Sequence, residues 1–592
     1  MTKHLTISLF IGLAGGQGDF YLSQRLKKVM KKYLMILILI ISNICGMEGY
    51  FINPIISGAH PDPSICRVGD DYYIVNSSFE YFPGLPIHHS KDLVNWELIG
   101  YGLHREDQCN GEMNLLDVQS DGGIHAPTIR YYRGTFYIIT TNVYNTGDKK
   151  SGLMKNFVIT AKNPSGPWSD PHIIEGAPGI DPDLFFDTNG RVYFTGTHSP
   201  GNINANGIGE IWIQELDMKK WKLTGKRHTI WDGVFGCCTE GPHIYKEHGL
   251  YYLLVAEGGT GKNHAVMIAA SENILGPYEE NPRNPILTTR HLSNEYFVNS
   301  TGHADMIELA DGRWYMVSLG KRNDFDGDAN MGRETYLMPM KWESTIVKWE
   351  QVSKDRWDPV RYLFPVVAPL TGRVERFVPL PYADKPQYIN NTIVDDFTDE
   401  NLDLEWTFIR VPKDETFSLS DNPGFLRLYS KSNIIENRKR FSFIGIRQKE
   451  SDFEFKIKMN FVPEKDKIES GMIHYQKEWN YLTNTVIRSN KKFYLEQKLK
   501  EKGKKVVTLK KTLLKDYDGN IILKVESKKD MYDFHYSLDN GLSFIYFTSM
   551  DAIKILDRNY TGALLGLYST SNGKVSQDYA DYDWIQYKDF IR

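Results

Sequence analysis

Cysteine is scarce in this chain, with five residues among 592. Apart from Cys45, the remaining four are too few to build a disulfide scaffold in a protein of this length. Their spacing matches no zinc site, and the adjacent residues Cys237 and Cys238 are not expected to bond each other. We therefore expect Cys66, Cys109, Cys237 and Cys238 to be buried or free thiols.

Excess charge, long amphipathic helices and long apolar runs are also missing. The formal net charge is −4, which gives no reason to expect binding to nucleic acid or another polyanion. The apolar run over residues 33–41 is too short to span a bilayer comfortably. We therefore expect no membrane span.

The first 48 residues have the pattern of a targeting segment. Four lysines between residues 27 and 32 precede the apolar run, and small residues follow it, which is typical of a secretory signal. Met30 opens this unit, so the first 29 residues are a candidate over-extended start. Cys45 is a candidate lipid-anchor cysteine, although Ile44 before it fits that motif poorly. We predict an exported protein, periplasmic or secreted.

Aromatic residues are abundant, at 13%. Two consecutive strand residues, the second of them a tyrosine, recur five times, each time after a tight turn. These tyrosines are Tyr73, Tyr137, Tyr193, Tyr252 and Tyr315, at intervals of 64, 56, 59 and 63 residues. A period of this kind is typical of a repeat architecture. Because the units contain short β-type runs, we predict a five-bladed β-propeller over residues 49–360.

One residue able to do chemistry precedes each of these tyrosines by a nearly constant distance. Eleven residues before Tyr73, and twelve before each of the others, the chain holds Asp62, His125, Asp181, Glu240 and His303. Equivalent positions in propeller blades surround the axis, so these side chains are expected to meet. Three carboxylates in one place repel each other and raise at least one pKa. An acid with a raised pKa beside an ionised base is the arrangement that cleaves glycosidic bonds.

A different all-β pattern follows a proline-rich stretch. The density of prolines predicts a linker over residues 361–391, because helices and central strands tolerate proline poorly. Residues 453–461 then alternate between apolar and polar side chains, the period of a half-buried strand. We predict a β-sandwich of jelly-roll, lectin-like type over residues 392–592.

Three further side chains are candidates for binding. Arg333 follows a glycine, and its planar five-donor guanidinium suits vicinal hydroxyls or a carboxylate, although a surface ion pair would be the favoured interpretation of this residue taken alone. Phe79 and Phe82 offer a wall on which a sugar could stack, or are ordinary core aromatics. His125 is a donor for a sugar hydroxyl, or part of the pocket wall.

Together these residues resemble glycoside hydrolase family 43, particularly its two-domain β-xylosidases. The resemblance rests on His60-Pro61-Asp62-Pro63-Ser64, Thr239-Glu240-Gly241-Pro242-His243 and Gly332-Arg333-Glu334, among other motifs of the first domain. It implies an inverting mechanism in which Asp62 is the general base, Glu240 is the general acid, and Asp181 raises the pKa of Glu240 and orients it. Several family members carry an aromatic residue where this chain has His125.

The resemblance also implies that Arg333 and Phe79 hold the non-reducing sugar. His303 looks like the family histidine near which some members bind Ca²⁺, so a structural calcium is a candidate, and the chemistry itself requires no cofactor. In the family the sandwich often lends a loop that shortens the pocket, which favours attack on chain ends.

We therefore predict an exo-acting glycoside hydrolase that releases xylose from xylan-derived oligosaccharides. The alternative is an α-L-arabinofuranosidase that removes arabinose side chains. A carbohydrate-binding propeller without catalysis is an alternative from another class. The expected partner is the oligosaccharide substrate, and the sequence leaves the oligomeric state open.

Overall fold

The computed structural model describes residues 49–147, 153–235, 237–325, 327–413, 415–528 and 530–591. The predicted targeting segment and Cys45 lie outside these ranges. The helical elements of the described residues are four short 3₁₀ helices, at Glu106–Gln108, Gly111–Asn114, Ile435–Asn437 and Ala552–Ile555. Within the described ranges, no helix is long and apolar enough to cross a membrane.

Five antiparallel sheets follow one another along the first part of the chain, each built from consecutive strands. The first strands are β1 (Tyr50–Ile52), β2 (Ser64–Val68), β3 (Asp71–Val75), β4 (Tyr81–Phe82), β5 (Gly84–Ser90) and β6 (Glu97–Leu103). They are followed by β7 (Gly123–Tyr132), β8 (Thr135–Tyr144), β9 (Leu153–Ala161) and β10 (His172–Ile173). The third set is β11 (Asp183–Phe186), β12 (Val192–His198), β13 (Glu210–Asp217) and β14 (Lys222–Trp231).

The last two sheets complete the ring of blades. The fourth consists of β15 (Glu240–Glu247), β16 (Leu250–Glu257), β17 (Ala265–Ser271), β18 (Glu279–Glu280) and β19 (Leu287–Thr288). The fifth consists of β20 (Val298–Glu308), β21 (Trp314–Arg322), β22 (Arg333–Ser353) and β23 (Arg356–Val367). The sheet orders are β2-β3-β5-β6, β7-β8-β9-β10, β11-β12-β13-β14, β15-β16-β17-β18 and β20-β21-β22-β23. The predicted five-bladed propeller is confirmed.

The turn between the first two strands of each blade explains the sequence period. Gly134 and Gly249, for example, have φ angles of 76° and 81°, which glycine adopts without steric cost. Tyr137 and Tyr252 then lie near the start of the second strand, in β8 and β16. The repeated aromatic pair is therefore a marker of one hairpin per blade.

The fifth blade extends into the predicted linker. Strand β23 continues to Val367, so residues 361–367 are strand rather than linker. Pro365 lies inside it, opposite Trp342 of β22. It is tolerated because β23 is the outer edge strand of its sheet, where the missing N–H removes no bond to a further strand.

The second part of the chain forms two packed antiparallel sheets. The strands of these two sheets are preceded by β24 (Phe377–Pro379), which lies outside them, as does β26 (Phe408–Ile409). The sandwich strands are β25 (Thr392–Asp395), β27 (Phe417–Ser418), β28 (Leu426–Tyr429), β29 (Ser442–Arg447), β30 (Phe453–Asn460), β31 (Glu469–Lys477), β32 (Asn480–Ser489), β33 (Lys492–Lys500), β34 (Val507–Leu513), β35 (Asn520–Lys528), β36 (Met531–Ser537), β37 (Ile545–Asp551), β38 (Leu564–Thr570) and β39 (Tyr579–Asp589). One sheet has the order β27-β28-β39-β30-β35-β36-β37 with β25 beside β39, and the other β29-β38-β31-β32-β33-β34. The predicted sandwich is confirmed.

The alternating residues of β30 supply part of the sandwich core, as their period indicated. Phe453, Phe455 and Ile457 are each at most 1% exposed. A short ladder joins the sandwich to blade one, where Phe408 of β26 pairs with Phe82 of β4. Phe82 belongs to the same apolar core as Phe408, so it is a core aromatic and not a wall for a sugar.

Candidate active site

The five residues predicted to meet lie at equivalent places on the innermost strands. Asp62 and Asp181 come two residues before β2 and β11, and Glu240 is the first residue of β15. His125 and His303 lie within β7 and β20. Because these strands are the first of their blades, their beginnings surround the axis.

The backbone is distorted in the same way at several of these places. Asp62, Asp181 and His303 have φ angles of 51°, 56° and 44°, a left-handed conformation that is uncommon outside glycine. The strand register also shifts after His125 and after Glu240. Such bulges re-aim side chains and occur often beside active sites.

Asp62 is held by three groups that favour its charged form. Its Oδ2 accepts a hydrogen bond from Ser77 Oγ at 2.6 Å, and its Oδ1 accepts one from Arg333 Nη1 at 3.2 Å. His303 Nδ1 lies 3.8 Å from the same Oδ1. Burial works to raise the pKa of Asp62, but the Arg333 charge, His303 and the Ser77 hydrogen bond lower it below its ordinary value. Asp62 is therefore ionised at neutral pH, as a general base must be.

Asp181 and Glu240 form a buried pair with the opposite behaviour. Burial, followed by the charges of Glu240 and Asp62, raises the pKa of Asp181 well above its ordinary value. Burial also raises the pKa of Glu240, to about 7, with Arg333 opposing and Asp62 adding to the rise. Gly241 N donates to Asp181 Oδ2 at 3.1 Å. Two buried carboxyls whose charges interact titrate as a pair, and with both pKa values raised the pair retains a proton near neutral pH.

Asp181 and Glu240 affect each other, because the interaction between two buried charges acts on both carboxyls. Asp62 adds to the rise in pKa at both of them. The pair with raised pKa values therefore lies beside the ionised Asp62. That Asp181 raises the pKa of Glu240, as the resemblance implied, stays a prediction.

An aromatic wall borders the three acids. The ring of Phe79 meets His125 edge to face, with centroids 4.8 Å apart, and lies nearly parallel to Tyr560 at 5.8 Å. The Arg333 guanidinium lies over the Tyr560 ring at 4.4 Å. Burial lowers the pKa of His125 and of His303, each to about 4, so both imidazoles are neutral at neutral pH.

Arg333 is only 5% exposed and is incompletely paired. One nitrogen contacts Asp62, whereas neither Nε nor Nη2 has a hydrogen-bond partner among the described residues. A buried donor without a partner costs free energy. Hydroxyl groups of a ligand would satisfy both nitrogens, so this edge of the guanidinium has the chemistry of a binding group rather than of a surface ion pair.

Tyr560 belongs to the sandwich, in residues 556–563 between the 3₁₀ helix Ala552–Ile555 and β38. Its backbone N donates to Asp121 Oδ1 at 3.2 Å, and the buried Lys477 ammonium contacts both Asp121 and the Thr561 hydroxyl. The carbonyl of Asp121 in turn accepts a hydrogen bond from His125 Nε2 at 3.0 Å. Asp121 therefore fixes two of the four side chains around the wall.

Two glycines let this sandwich segment reach the pocket. A Cβ on Gly332 would lie 2.6 Å from Gly562 N, and a Cβ on Gly562 would lie 2.3 Å from Met331 O. Both distances are too short for any side chain. The backbone beside Arg333 and the backbone beside Tyr560 are therefore in direct contact.

A second layer of charges lies beneath the acids. Asp183 and Asp305 follow Asp181 and His303 by two residues, and each accepts a hydrogen bond or ion pair from Arg130, at 3.0 and 2.9 Å. Both aspartates are fully buried. Arg130 thus joins strands β7, β11 and β20 below the site and holds their beginnings in register.

A calcium ion near His303 is the cofactor that the resemblance made a candidate. Ca²⁺ takes six to eight oxygen ligands, whereas His303 has Asp62 as its acidic neighbour, which is itself held by Ser77 and Arg333. Across the described ranges, no group of three or more His, Cys, Asp or Glu side chains is placed to hold a metal ion. The donor set does not fit the ion, and no step below involves it.

Sequence reasoning missed Tyr560, Asp121 and Lys477. The repeat that marks the other site residues ends with the propeller. Tyr560 lies more than two hundred residues beyond the last tyrosine of the repeat, Tyr315. Asp121 does not belong to the repeat, and an isolated lysine on a predicted strand is ordinarily expected to be exposed. Only the three-dimensional contact between the two domains identifies them.

Comparisons with known proteins identify the family of this chain. The model for Glycosyl hydrolases family 43 matches residues 51–345, and that for the Beta xylosidase C-terminal Concanavalin A-like domain matches residues 394–588. The chain is 39% identical to the Xylosidase/arabinosidase of Butyrivibrio fibrisolvens, over 90% of this chain and 98% of that protein. It is 36% identical to the Non-reducing end alpha-L-arabinofuranosidase BoGH43B of Bacteroides ovatus, over 94% of this chain and 98% of that protein.

The fold comparison leads to the same family. The structure described as Bacteroides ovatus Xyloglucan PUL GH43B has a TM-score of 0.80 and 34% identity, covering 91% of this chain and 100% of that one. The match extends over propeller and sandwich together. This chain is a glycosidase that belongs to glycosyl hydrolase family 43.

Proposed function

We propose that the protein is an exo-acting, inverting β-xylosidase that releases xylose from xylan-derived oligosaccharides. The observation that carries the proposal is that the pKa values of the three acids are shifted in opposite directions. The pKa of Asp62 is lowered and that of Glu240 is raised to about 7 within one buried site. Beside them, Arg333 presents two unpaired nitrogens.

The two acids have complementary tasks in this mechanism. The Asp62 carboxylate takes a proton from water, whose oxygen attacks the anomeric carbon from the face opposite the leaving group. Protonated Glu240 gives its proton to the glycosidic oxygen as the bond to the anomeric carbon breaks. Asp181 shares the proton with Glu240 before the step and is hydrogen-bonded to Gly241 N, which fixes its carboxyl beside the acid.

The surroundings of the acids favour a terminal sugar. Arg333 would donate to neighbouring hydroxyls of the sugar, and Phe79 and Tyr560 give an apolar surface for its ring. The sandwich segment 556–563 covers one side of this wall. A long polysaccharide cannot pass through a pocket closed on that side, which supports removal of one sugar from a chain end.

The alternative substrate is an α-L-arabinofuranoside. Similarity to a Xylosidase/arabinosidase and to a Non-reducing end alpha-L-arabinofuranosidase supports this second candidate. Both sugars present comparable hydroxyls to Arg333. His125 stands where the resemblance implies an aromatic residue in several family members, and it lies in the wall that would distinguish the two sugars.

The test combines a panel of aryl glycosides with Glu240→Gln. We expect the aryl β-xyloside to be the preferred substrate and the arabinofuranoside to be second. NMR should show a product with inverted anomeric configuration. Glu240→Gln should lower kcat/KM by about 100- to 10,000-fold on a xyloside with a basic leaving group. The loss should be much smaller with dinitrophenol, which departs without a proton. Glu247→Gln, at the far end of the same strand, is the matched control and should retain activity.

Three outcomes would contradict the proposal. Cleavage of neither glycoside would remove the substrate assignment. Equal losses for Glu240→Gln on both leaving groups would remove Glu240 as the proton donor. Retained anomeric configuration would exclude the inverting mechanism.

A further inference from the structure

Two adjacent thiols precede the predicted general acid, separated from it by Thr239. Cys237 and Cys238 are in the segment between β14 and β15, and their Sγ atoms are 3.0 Å apart. Cys237 is exposed and Cys238 is partly exposed, whereas Cys66 and Cys109 are buried. Among the cysteines of the described ranges, solvent therefore reaches this pair alone.

The pair is linked electrostatically to the active site. A hydrogen bond with Cys237, followed by burial, raises the pKa of Cys238 to about 11, and the charges of Cys237, Glu240 and Glu257 add to this rise. A thiol of this kind stays protonated at neutral pH and is a poor nucleophile by itself. Cys238 is therefore not a covalent catalyst, and chemistry at this place has to begin at the exposed Cys237.

The segment that carries the pair is fixed on both sides. Val234 N and Phe235 N donate to the buried Glu257 carboxylate, at 2.6 and 3.1 Å, and the Thr239 hydroxyl donates to it at 3.2 Å. Gly258 N donates to the Cys237 carbonyl at 3.1 Å. Cys238 has a φ of 58°, a strained value for this residue. Because Thr239 and Glu240 follow the pair directly in the chain, a change of geometry at the pair is expected to move them.

We propose that Cys237 and Cys238 are a redox-reactive dithiol that closes to a vicinal disulfide by exchange with small disulfides, and that closure lowers glycosidase activity by displacing Glu240. The Cys237 thiolate attacks one sulfur of the small disulfide and releases the first thiol. Cys238, on losing its proton, attacks the Cys237 sulfur and releases the second. One S–S bond breaks and one forms, both protein thiol protons end on the released thiols, and the two electrons pass to the small disulfide.

The geometry of neighbouring residues makes such a bond reversible. Adjacent Cα atoms are about 3.8 Å apart across a trans peptide, below the range of about 4.4–6.8 Å that disulfides ordinarily span. A disulfide held outside that range is strained and easily reduced. This is consistent with the absence of a structural disulfide here and with the free thiols that the structure contains.

The experiment equilibrates the full chain in glutathione buffers of increasing oxidised fraction. Alkylation under denaturing conditions and peptide mass spectrometry then count the thiols at positions 237 and 238. We expect both to disappear together, with the loss of two hydrogens and no bound glutathione, and to return with dithiothreitol. In the same samples, kcat/KM on an aryl xyloside should fall by about tenfold or more, because a small displacement of an acid has effects of this size.

Cys237→Ser and Cys238→Ser should each abolish the activity response, and Cys109→Ala, at a buried thiol, should leave it intact. Persistence of both thiols in every buffer, or capture of glutathione without ring closure, would overturn the proposal. Ring closure with unchanged kcat/KM would overturn its regulatory part. The activity readout rests on the proposed function, but the thiol count does not, so failure of the xyloside assay alone is distinguishable from failure of the dithiol.

Discussion

The buried ion pair between Lys477 and Asp121 is predicted to hold the sandwich segment in the active site. The Lys477 side chain is 0% exposed and that of Asp121 is 9% exposed. Lys477 charge lowers the pKa of Asp121 against the effect of burial. Lys477→Met should remove this charge while keeping most of the side-chain volume, and it should leave the Asp121 carboxylate buried without a cation.

Removing one partner of a buried ion pair costs about 3–5 kcal/mol of unfolding free energy, because the other charge loses its compensation. Glu80 adds to the cost, since burial raises its pKa to about 7 while Lys477 opposes that rise. We expect Lys477→Met and Asp121→Asn each to show a loss of this size in chemical denaturation. The double variant should lose less than the sum, with a coupling of about 0.5–3 kcal/mol.

The loss should also depend on pH. A carboxylate whose pKa is lowered in the folded protein stabilises it above the unfolded pKa, and this contribution disappears as the pH falls. The deficit of Lys477→Met relative to the wild type should therefore be largest at neutral pH and shrink as the pH falls. The shrinkage should continue below about pH 4, the ordinary pKa of Asp, because the pKa of Asp121 in the folded wild type is lowered below that value. The kcat/KM should fall by about tenfold as Tyr560 loses its anchor.

Lys439→Met is the matched control. Lys439 and Asp117 form an ion pair whose side chains are 48% and 46% exposed, and exposed pairs contribute about 0–1 kcal/mol. Additive losses for Lys477→Met and Asp121→Asn, or a deficit that does not change between neutral and acidic pH, would refute the reasoning.

Two further predictions concern the pocket itself. Tyr560→Ala should raise KM for the aryl xyloside more than it lowers kcat, because it removes a wall and no reacting group; a loss confined to kcat would contradict this. In the pH profile, activity should decline as the pH rises through about 7, because Glu240 loses its proton there. Ser77→Ala should shift only the acidic limb of the profile, toward higher pH, because the hydrogen bond that lowers the pKa of Asp62 is lost. Movement of the basic limb in Ser77→Ala would show that the limbs are wrongly assigned.

The propeller could be predicted from the sequence because each blade repeats the same local pattern. A glycine turn followed by an aromatic strand needs no long-range information, and Asp62, Asp181 and Glu240 could be located from it. The placement of β23 could not be predicted in the same way. Proline usually excludes a strand, and whether Pro365 lies at an edge is decided by the number of strands in the sheet.

The contribution of the sandwich to the pocket also lay beyond sequence reasoning. Tyr560, Asp121 and Lys477 come from three distant parts of the chain, and each looks ordinary among its neighbours. Their joint role depends on the close approach of Gly332 and Gly562, which no periodicity indicates. The role of Phe82 was equally open, because core aromatics and sugar-stacking aromatics share one composition.

The left-handed backbone at Asp62, Asp181 and His303 has a consequence for how this enzyme can change over evolutionary time. Glycine would occupy these conformations at lower conformational cost, so we expect selection for the proposed chemistry, rather than backbone preference, to keep two acids and a histidine there. A descendant released from catalysis should lose these three side chains early, with a gain in stability. Gly332 and Gly562 would persist in it, because backbone contact rather than chemistry requires them.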